Sequence, residues 1–211
     1  MKSNVAESVE LKIDWSAQTI LPIEFHGNEL KLEARAYQGV DPLAQAIVLI
    51  HRREGTANDE VPLVRVHSGC VTGDIFHSLR CDCYAQLQVA MERITSAPVG
   101  VLIYLPYHEG RGIGLVNKIR AYALQDQGYD TVDANIEIGA PIDARDYGLS
   151  AHILFDLGMP EIRLLSNNPA KAEALRAQGI RVVEHVEVKT EPSIYNKRYL
   201  ETKRVRMAHK L

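Results

Sequence analysis

Residues 99–128, VGVLIYLPYHEGRGIGLVNKIRAYALQDQG, decide the architecture. Val99–Leu105 is an apolar run of strand length. Glu109–Gly114 then packs three glycines into a turn. Leu115–Gln127 is predicted helix, with Leu115, Ile119, Tyr122 and Ala123 along one side, and Gly128 fits the left-handed position just past a helix end. Strand, glycine-rich turn and helix in one run imply an α/β layered fold.

The same alternation continues on both sides. Tyr84–Ser96 carries Leu87, Ala90, Met91 and Ile94 at i, i+3, i+4 and i+7, one face of a helix. Tyr147–Leu157 reads as a helix stopped before Gly158, and Ile162–Leu165 as a strand. Asn168-Pro169 supplies an N-cap followed by proline at the first helical position; Gly179 closes that helix before a last strand, Ile180–Glu184. The first third is β-rich. Leu30–Tyr37 alternates apolar and polar, Ala46–Ile50 is a buried-strand pattern, Arg53–Asp59 reads as a hairpin-type loop, and Leu63–Val66 is a further strand. An antiparallel-looking start joined to an alternating remainder predicts a mixed β-sheet layered with helices. With no repeat, low-complexity tract or linker, residues 1–211 are expected to form a single domain, with about 1–20 and 196–211 flexible.

With 46% hydrophobic and 24% charged residues, the chain has the composition of a globular protein rather than a disordered one. The net charge of −3 gives no global basic field for nucleic acid. No apolar stretch approaches the roughly 20 residues that span a bilayer, and Met1–Trp15 shows no signal-type apolar core, so a cytoplasmic protein is expected. The basic segment 196–211, with Lys197, Arg198, Lys203, Arg204, Arg206 and Lys210, reads as a solvated tail ahead of a polyanion contact.

All three cysteines lie in one window, Cys70-x10-Cys81-x-Cys83. Clustered thiols read first as a zinc site, and the alternative is small buried hydrophobes. Either His67 or His77 completes the ligand set, or water takes the fourth place as in catalytic sites. Zinc lowers the pKa of bound water from 15.7 towards about 7. The glycine-rich turn lacks the dinucleotide fingerprint, and the chain has no P-loop. Two other segments are candidate anion contacts: Ser166-Asn167-Asn168-Pro169 with Lys171, otherwise a plain helix cap, and Asp143-Ala144-Arg145-Asp146, otherwise a surface ion pair.

Arg65-Val66-His67-Ser68-Gly69-Cys70-Val71-Thr72-Gly73-Asp74, Ser78-Leu79-Arg80-Cys81-Asp82-Cys83, and the run from Glu109-Gly110-Arg111-Gly112-Ile113-Gly114-Leu115 through Asp126 together resemble the GTP cyclohydrolase II family. Gly128-Tyr129-Asp130-Thr131, Asp143–Asp146 and Asn167–Pro169 extend the likeness, which covers about residues 63–186. The resemblance implies an enzyme that opens the imidazole ring of GTP and releases formate and pyrophosphate. Its product is the pyrimidine nucleotide that begins riboflavin synthesis. It also implies a homodimer, one Zn²⁺ per chain on Cys70, Cys81 and Cys83, and Mg²⁺ with the triphosphate. By the same likeness Tyr122 orients water or moves a proton, and Arg65, Gln86, Glu109, Arg111, Thr131, Ser166 and Lys171 contact the nucleotide. Glu109 would accept from the guanine edge. Asp143 and Arg145 match a proton acceptor and a nucleophile at the α-phosphate, although a guanidinium that stays protonated acts more easily as an electrostatic clamp.

The sequence departs from the family pattern at Gly69, where Glu is usual, at Tyr107-His108, where Arg-Gln is usual, and at Ser166, where Thr is usual. These departures motivate two alternatives: a diverged paralogue with an altered substrate or an outcome that stops after ring opening, and a zinc-stabilised nucleotide-binding protein without catalysis.

Overall fold

A computed structural model describes residues 13–206. In chain order the elements are β1 (Ile13–Phe25), β2 (Asn28–Gly39), β3 (Gln45–Arg52), β4 (Leu63–Ser68), α1 (Cys83–Ser96), β5 (Val99–Leu105), α2 (Gly114–Asp126), α3 (Thr131–Glu137), α4 (Gly148–Asp156), β6 (Glu161–Leu165), α5 (Pro169–Ala177), β7 (Arg181–Val186) and α6 (Lys197–Arg206). The seven strands form one mixed sheet in the order β1-β2-β3-β5-β4-β6-β7. The first three strands and β5 pair antiparallel, whereas β5, β4, β6 and β7 pair parallel.

Side-chain alternation on the central strands divides the core between the two faces of the sheet. Val64, Val66, Val101, Ile103 and Leu105 pack with Leu149, Ile153 and Leu154 of α4 and Leu175 of α5. Leu63 and Leu102, one residue out of phase, pack with Ala90, Met91 and Ile94 of α1. The result is helix, sheet, helix, as period-two strands buried on both faces require. At Gly100 a Cβ would stand 2.2 Å from the Ile94 carbonyl oxygen, so only glycine lets the end of α1 sit on β5. From β4 the chain crosses to β5 on one side, and β6 later joins on the other. The winding reverses at β4, and a crevice opens at the carboxyl ends of these strands, the usual binding position in such sheets.

One expectation needs correction. Arg53–Asp59 is a loop but not a hairpin, because β5 lies between β3 and β4, antiparallel to one and parallel to the other. The tight hairpin is instead at His26-Gly27, where both residues have positive φ (51° and 78°), as the twist of a two-residue connection demands. Within the ends expected to be flexible, residues 13–20 are paired strand and Lys197–Arg206 is helix, with Arg206 bonded to Asp130 and Asp133 of the α3 start at 2.6 and 2.8 Å. Residues 1–12, Lys210 and the side chains of Lys197, Arg198 and Lys203 lie outside the described residues.

Candidate active site

The thiol cluster is assembled by one loop and one helix start. After β4 the chain turns through Cys70 into a helical turn, Val71–Ile75, and Cys83 opens α1. Asp74 holds this loop: one carboxylate accepts from the Cys70 amide at 2.9 Å, from the Tyr104 hydroxyl at 3.0 Å and from His67 Nε2 at 3.1 Å. The three Sγ atoms lie within 4.8 Å of one another, with Cys70 and Cys81 3.7 Å apart. With zinc–sulfur bonds of about 2.3 Å, two corners of a tetrahedron stand about 3.8 Å apart, so the trio fits the ion. Gly73 makes the convergence possible, since a Cβ there would stand 3.0 Å from both the Cys70 and the Cys81 sulfur. Neither candidate histidine joins the group: His67 Nε2 is taken by Asp74, and the exposed His77 stacks on Tyr84 at 3.8 Å. Hydrogen bonds from Cys81 and Cys83 outweigh burial and, with Lys118, hold the Cys70 thiol far below the usual thiol range.

Lys118 was not foreseen. It lies on α2, only 7% exposed, with Nζ 3.0 Å from Cys70 Sγ and 2.6 Å from Glu109 Oε1. Burial alone would lower its pKa, yet Tyr122, Cys70 and Glu109 together raise it, so it stays a cation. Tyr122, one turn further along α2, faces the same cleft, with the Arg80 guanidinium 4.7 Å over its ring.

Glu109 is buried against the cysteine loop. The backbone is left-handed at Gly110, Arg111 and Gly112, and this turn rotates Glu109 inward. Its Oε2 accepts from the Val71 amide at 2.6 Å, and its Oε1 accepts from Lys118 and from the Gly110 amide at 3.0 Å. In this arrangement it braces the glycine-rich turn against the cysteine loop.

The other expected residues converge. A cleft of about 970 Å³, counting the space open to solvent, is lined by the three cysteines and Tyr122. Arg65, Gln86 and Thr131 line it too, and Arg111, Arg145, Ser166 and Lys171 bring hydroxyl and cationic groups. Arg65 is buried, donating to Gln86 at 2.7 Å and to the Leu165 carbonyl at 3.1 Å. Lys171 donates to the Val66 carbonyl at 2.5 Å. Ser166 stands at the start of α5, where Asn168 caps the helix by accepting from the Ala170 amide. Asp143 does not line the cleft but grips Arg145, accepting from Nε at 2.8 Å and pairing with Nη2. Burial would raise its carboxyl, but bonds to Arg145 hold it below the ordinary carboxylate range.

At Gly69 a Cβ would stand 2.9 Å from Pro106 Cα and 3.0 Å from the Leu105 carbonyl oxygen. The ends of β4 and β5 approach too closely here for any side chain. The glycine at this position is therefore a packing requirement of this chain.

Fold and cleft define a class: an α/β protein whose strand ends bring a metal-capable thiol trio into one cleft with Arg111, Arg145 and Lys171. The chain belongs to the GTP cyclohydrolase II family, whose pattern it matches over residues 15–187. It is 47% identical over 202 residues to riboflavin biosynthesis protein RibBA of Salinispora tropica, covering 96% of this chain and 49% of that protein. It is 48% identical over 193 residues to GTP cyclohydrolase-2 of Archaeoglobus fulgidus, covering 91% of this chain and 48% of that protein. A probable bifunctional riboflavin biosynthesis protein of Oryza sativa is 47% identical over 197 residues, 93% of this chain and 34% of that protein. The chain thus spans about half the length, or less, of these curated relatives.

Proposed function

We propose that the protein is a zinc-dependent GTP cyclohydrolase II that hydrolyses the guanine imidazole ring of GTP and releases formate and pyrophosphate, leaving the pyrimidine nucleotide that starts riboflavin synthesis. The observation that carries this reading is that the thiol trio, Tyr122 and the cations Arg111, Arg145 and Lys171 line one cleft. Cys70, Cys81 and Cys83 would hold zinc, which supplies a Lewis acid that makes water nucleophilic near neutral pH. Tyr122 stands at that end to orient water or move a proton at the ring. Arg65, Gln86 and Thr131 hold the nucleoside part. Arg111, Lys171 and Ser166 bind the triphosphate with its Mg²⁺, and Arg145 clamps the phosphoryl oxygens while water attacks the α-phosphorus and pyrophosphate leaves. Asp143 keeps that guanidinium aligned; as a permanent cation it stabilises charge instead of attacking phosphorus.

A homodimer fits the same reading, because Leu115, Val116 and Ile119 leave an apolar strip of α2 exposed for a second copy to cover. The reduced cytoplasm suits three free thiols. No described helix is long and apolar enough to cross a membrane.

The test is incubation with GTP and Mg²⁺, with and without a zinc chelator, scoring formate, pyrophosphate and product mass. Chelator-sensitive release of both products is expected, and release of neither overturns the proposal. Gly69, which leaves the position next to the first thiol without the family's usual carboxylate, motivates one second reading, a paralogue that stops after ring opening. A product that retains the formyl carbon is the outcome that selects it.

A further inference from the structure

Ser68 and His108 have no role in the scheme above. Ser68 ends β4, and His108 lies in the helical turn Pro106–Arg111 that follows β5. Parallel pairing sets Ser68 beside Leu105 and so brings the two together. His108 is 1% exposed, and its Nε2 is 2.9 Å from the Asp146 carbonyl oxygen. A carbonyl can only accept, so Nε2 carries the proton. Burial, then the charge of Arg145, pushes the imidazole down to about 4, so the ring is neutral near pH 7. Nδ1 is then a bare acceptor, 3.3 Å from Ser68 Oγ, and the serine hydroxyl must donate to it. The lone pairs of that oxygen stay available to Arg145, whose Nη1 donates to it at 3.3 Å.

The donors therefore run one way, from the Arg145 guanidinium to Ser68, to His108, to the Asp146 carbonyl. The chain closes on itself, because Asp146 is the next residue after Arg145. Asp143 holds the Nε and Nη2 edge of the guanidinium, so Ser68 supplies the grip on the remaining nitrogen. The Tyr147 ring backs both partners, with His108 edge-on at 5.3 Å and the Arg145 carbon 5.8 Å from its centre. The Ala144 amide also donates to the Arg111 carbonyl at 2.9 Å and ties the same two segments together.

We propose that Ser68 and His108 are positioning residues that aim the Arg145 guanidinium at the phosphate end of the cleft. The proposal rests on the reading of Arg145 as a phosphate clamp. Ser68→Ala and His108→Leu each break the chain; His108→Gln keeps one donor and one acceptor. The expected result is a fall of about 10–100-fold in kcat for pyrophosphate release in the first two variants, the scale on which outer hydrogen-bond partners act. KM for GTP changes far less, because a misaimed clamp loses transition-state contacts. His108→Gln recovers most of the loss. Unchanged kcat in Ser68→Ala and His108→Leu, or a glutamine variant no better than leucine, overturns the proposal. Nitrogen-15 spectra of the wild-type imidazoles, with His108 assigned by its loss in His108→Gln, test the chain without any substrate. A bare Nδ1 and a protonated Nε2 at pH 7 are expected, and the opposite tautomer overturns the chain. Failure of the functional reading shows separately, as a wild-type protein that releases no pyrophosphate.

Discussion

The two ends of the cleft are built differently. The thiol trio comes from a single stretch, Cys70 to Cys83, folded back on itself by Asp74 and Gly73. The proposed phosphate end is gathered from places far apart in the chain: Ser68, His108, Arg145 and Lys171 meet only because β4, β5 and β6 lie side by side. A locally built site is specified by spacing. A site built from strand ends is specified by topology, and it inherits its precision from the sheet. The two ends should therefore respond to different perturbations.

The largest effect is expected from removing one thiol. Cys81→Ser should drop formate release below about one-thousandth of wild type, beyond the 10²–10³ that loss of a single stabilising donor costs. Binding of inorganic pyrophosphate, followed by calorimetry, should survive. Its loss would mean that the two ends do not fold independently.

Next in size is the bond that joins them. Lys118→Met takes the buried cation from the Glu109 carboxylate and leaves it only the Val71 and Gly110 amides, and breaking a buried pair in this way costs about 3–5 kcal/mol. Urea unfolding measures it, and Lys118→Met with Glu109→Gln should recover a large part. Equal loss in the single and double variants would show that Lys118 serves Cys70 and not the glycine-rich turn.

The phosphate end carries a pH signature of its own. His108 sits at about 4 in the folded protein against an ordinary value near 6.5. Its folded pKa is depressed, so the unfolded chain binds the extra proton first as pH falls. The contribution of His108 is complete above about pH 6.5 and is lost progressively down to about 4, at most about 3 kcal/mol. In His108→Gln the stability-versus-pH curve should flatten in that window; an unchanged slope would assign the dependence elsewhere.

The smallest effect is local. Asn168→Ala removes the cap of α5 and should cost about 1 kcal/mol in thermal or urea unfolding. Ser166 and Lys171 should then loosen, with weaker pyrophosphate binding and no change at the thiols.

The same contrast explains what could be read before the fold was known. Val99–Leu105, the α1 helix, the Asn168 cap and the cysteine trio each depend on neighbours within a few residues, and all are present. β1 was not singled out, because it is an edge strand whose residues from Ser16 to Ile20 are exposed and carry no burial rhythm. α3 has only seven residues, held by the Asp130 cap and by Arg206 from the far end of the chain. The bracing contacts of Glu109 carry no sequence signal for a related reason: its partners Val71 and Lys118 are 38 and nine residues away, and only the left-handed turn at Gly110 directs it to them. The hydrogen-bond chain through Ser68 and His108 has no sequence signal, since each link crosses between strand ends.

Strand β5 has a consequence for how the molecule is made. It is the seam of the sheet, bonded to β3 by antiparallel pairing and to β4 by parallel pairing. A nascent chain that has not yet reached Val99 has made β3 and β4 but not the strand that belongs between them. Two naked backbone edges then face a gap one strand wide, the kind of opening that recruits wrong partners. The late arrival of VGVLIYL fills that gap and pairs both edges at once, so the strand that seats His108 beside Ser68 also covers the nascent chain's open edges.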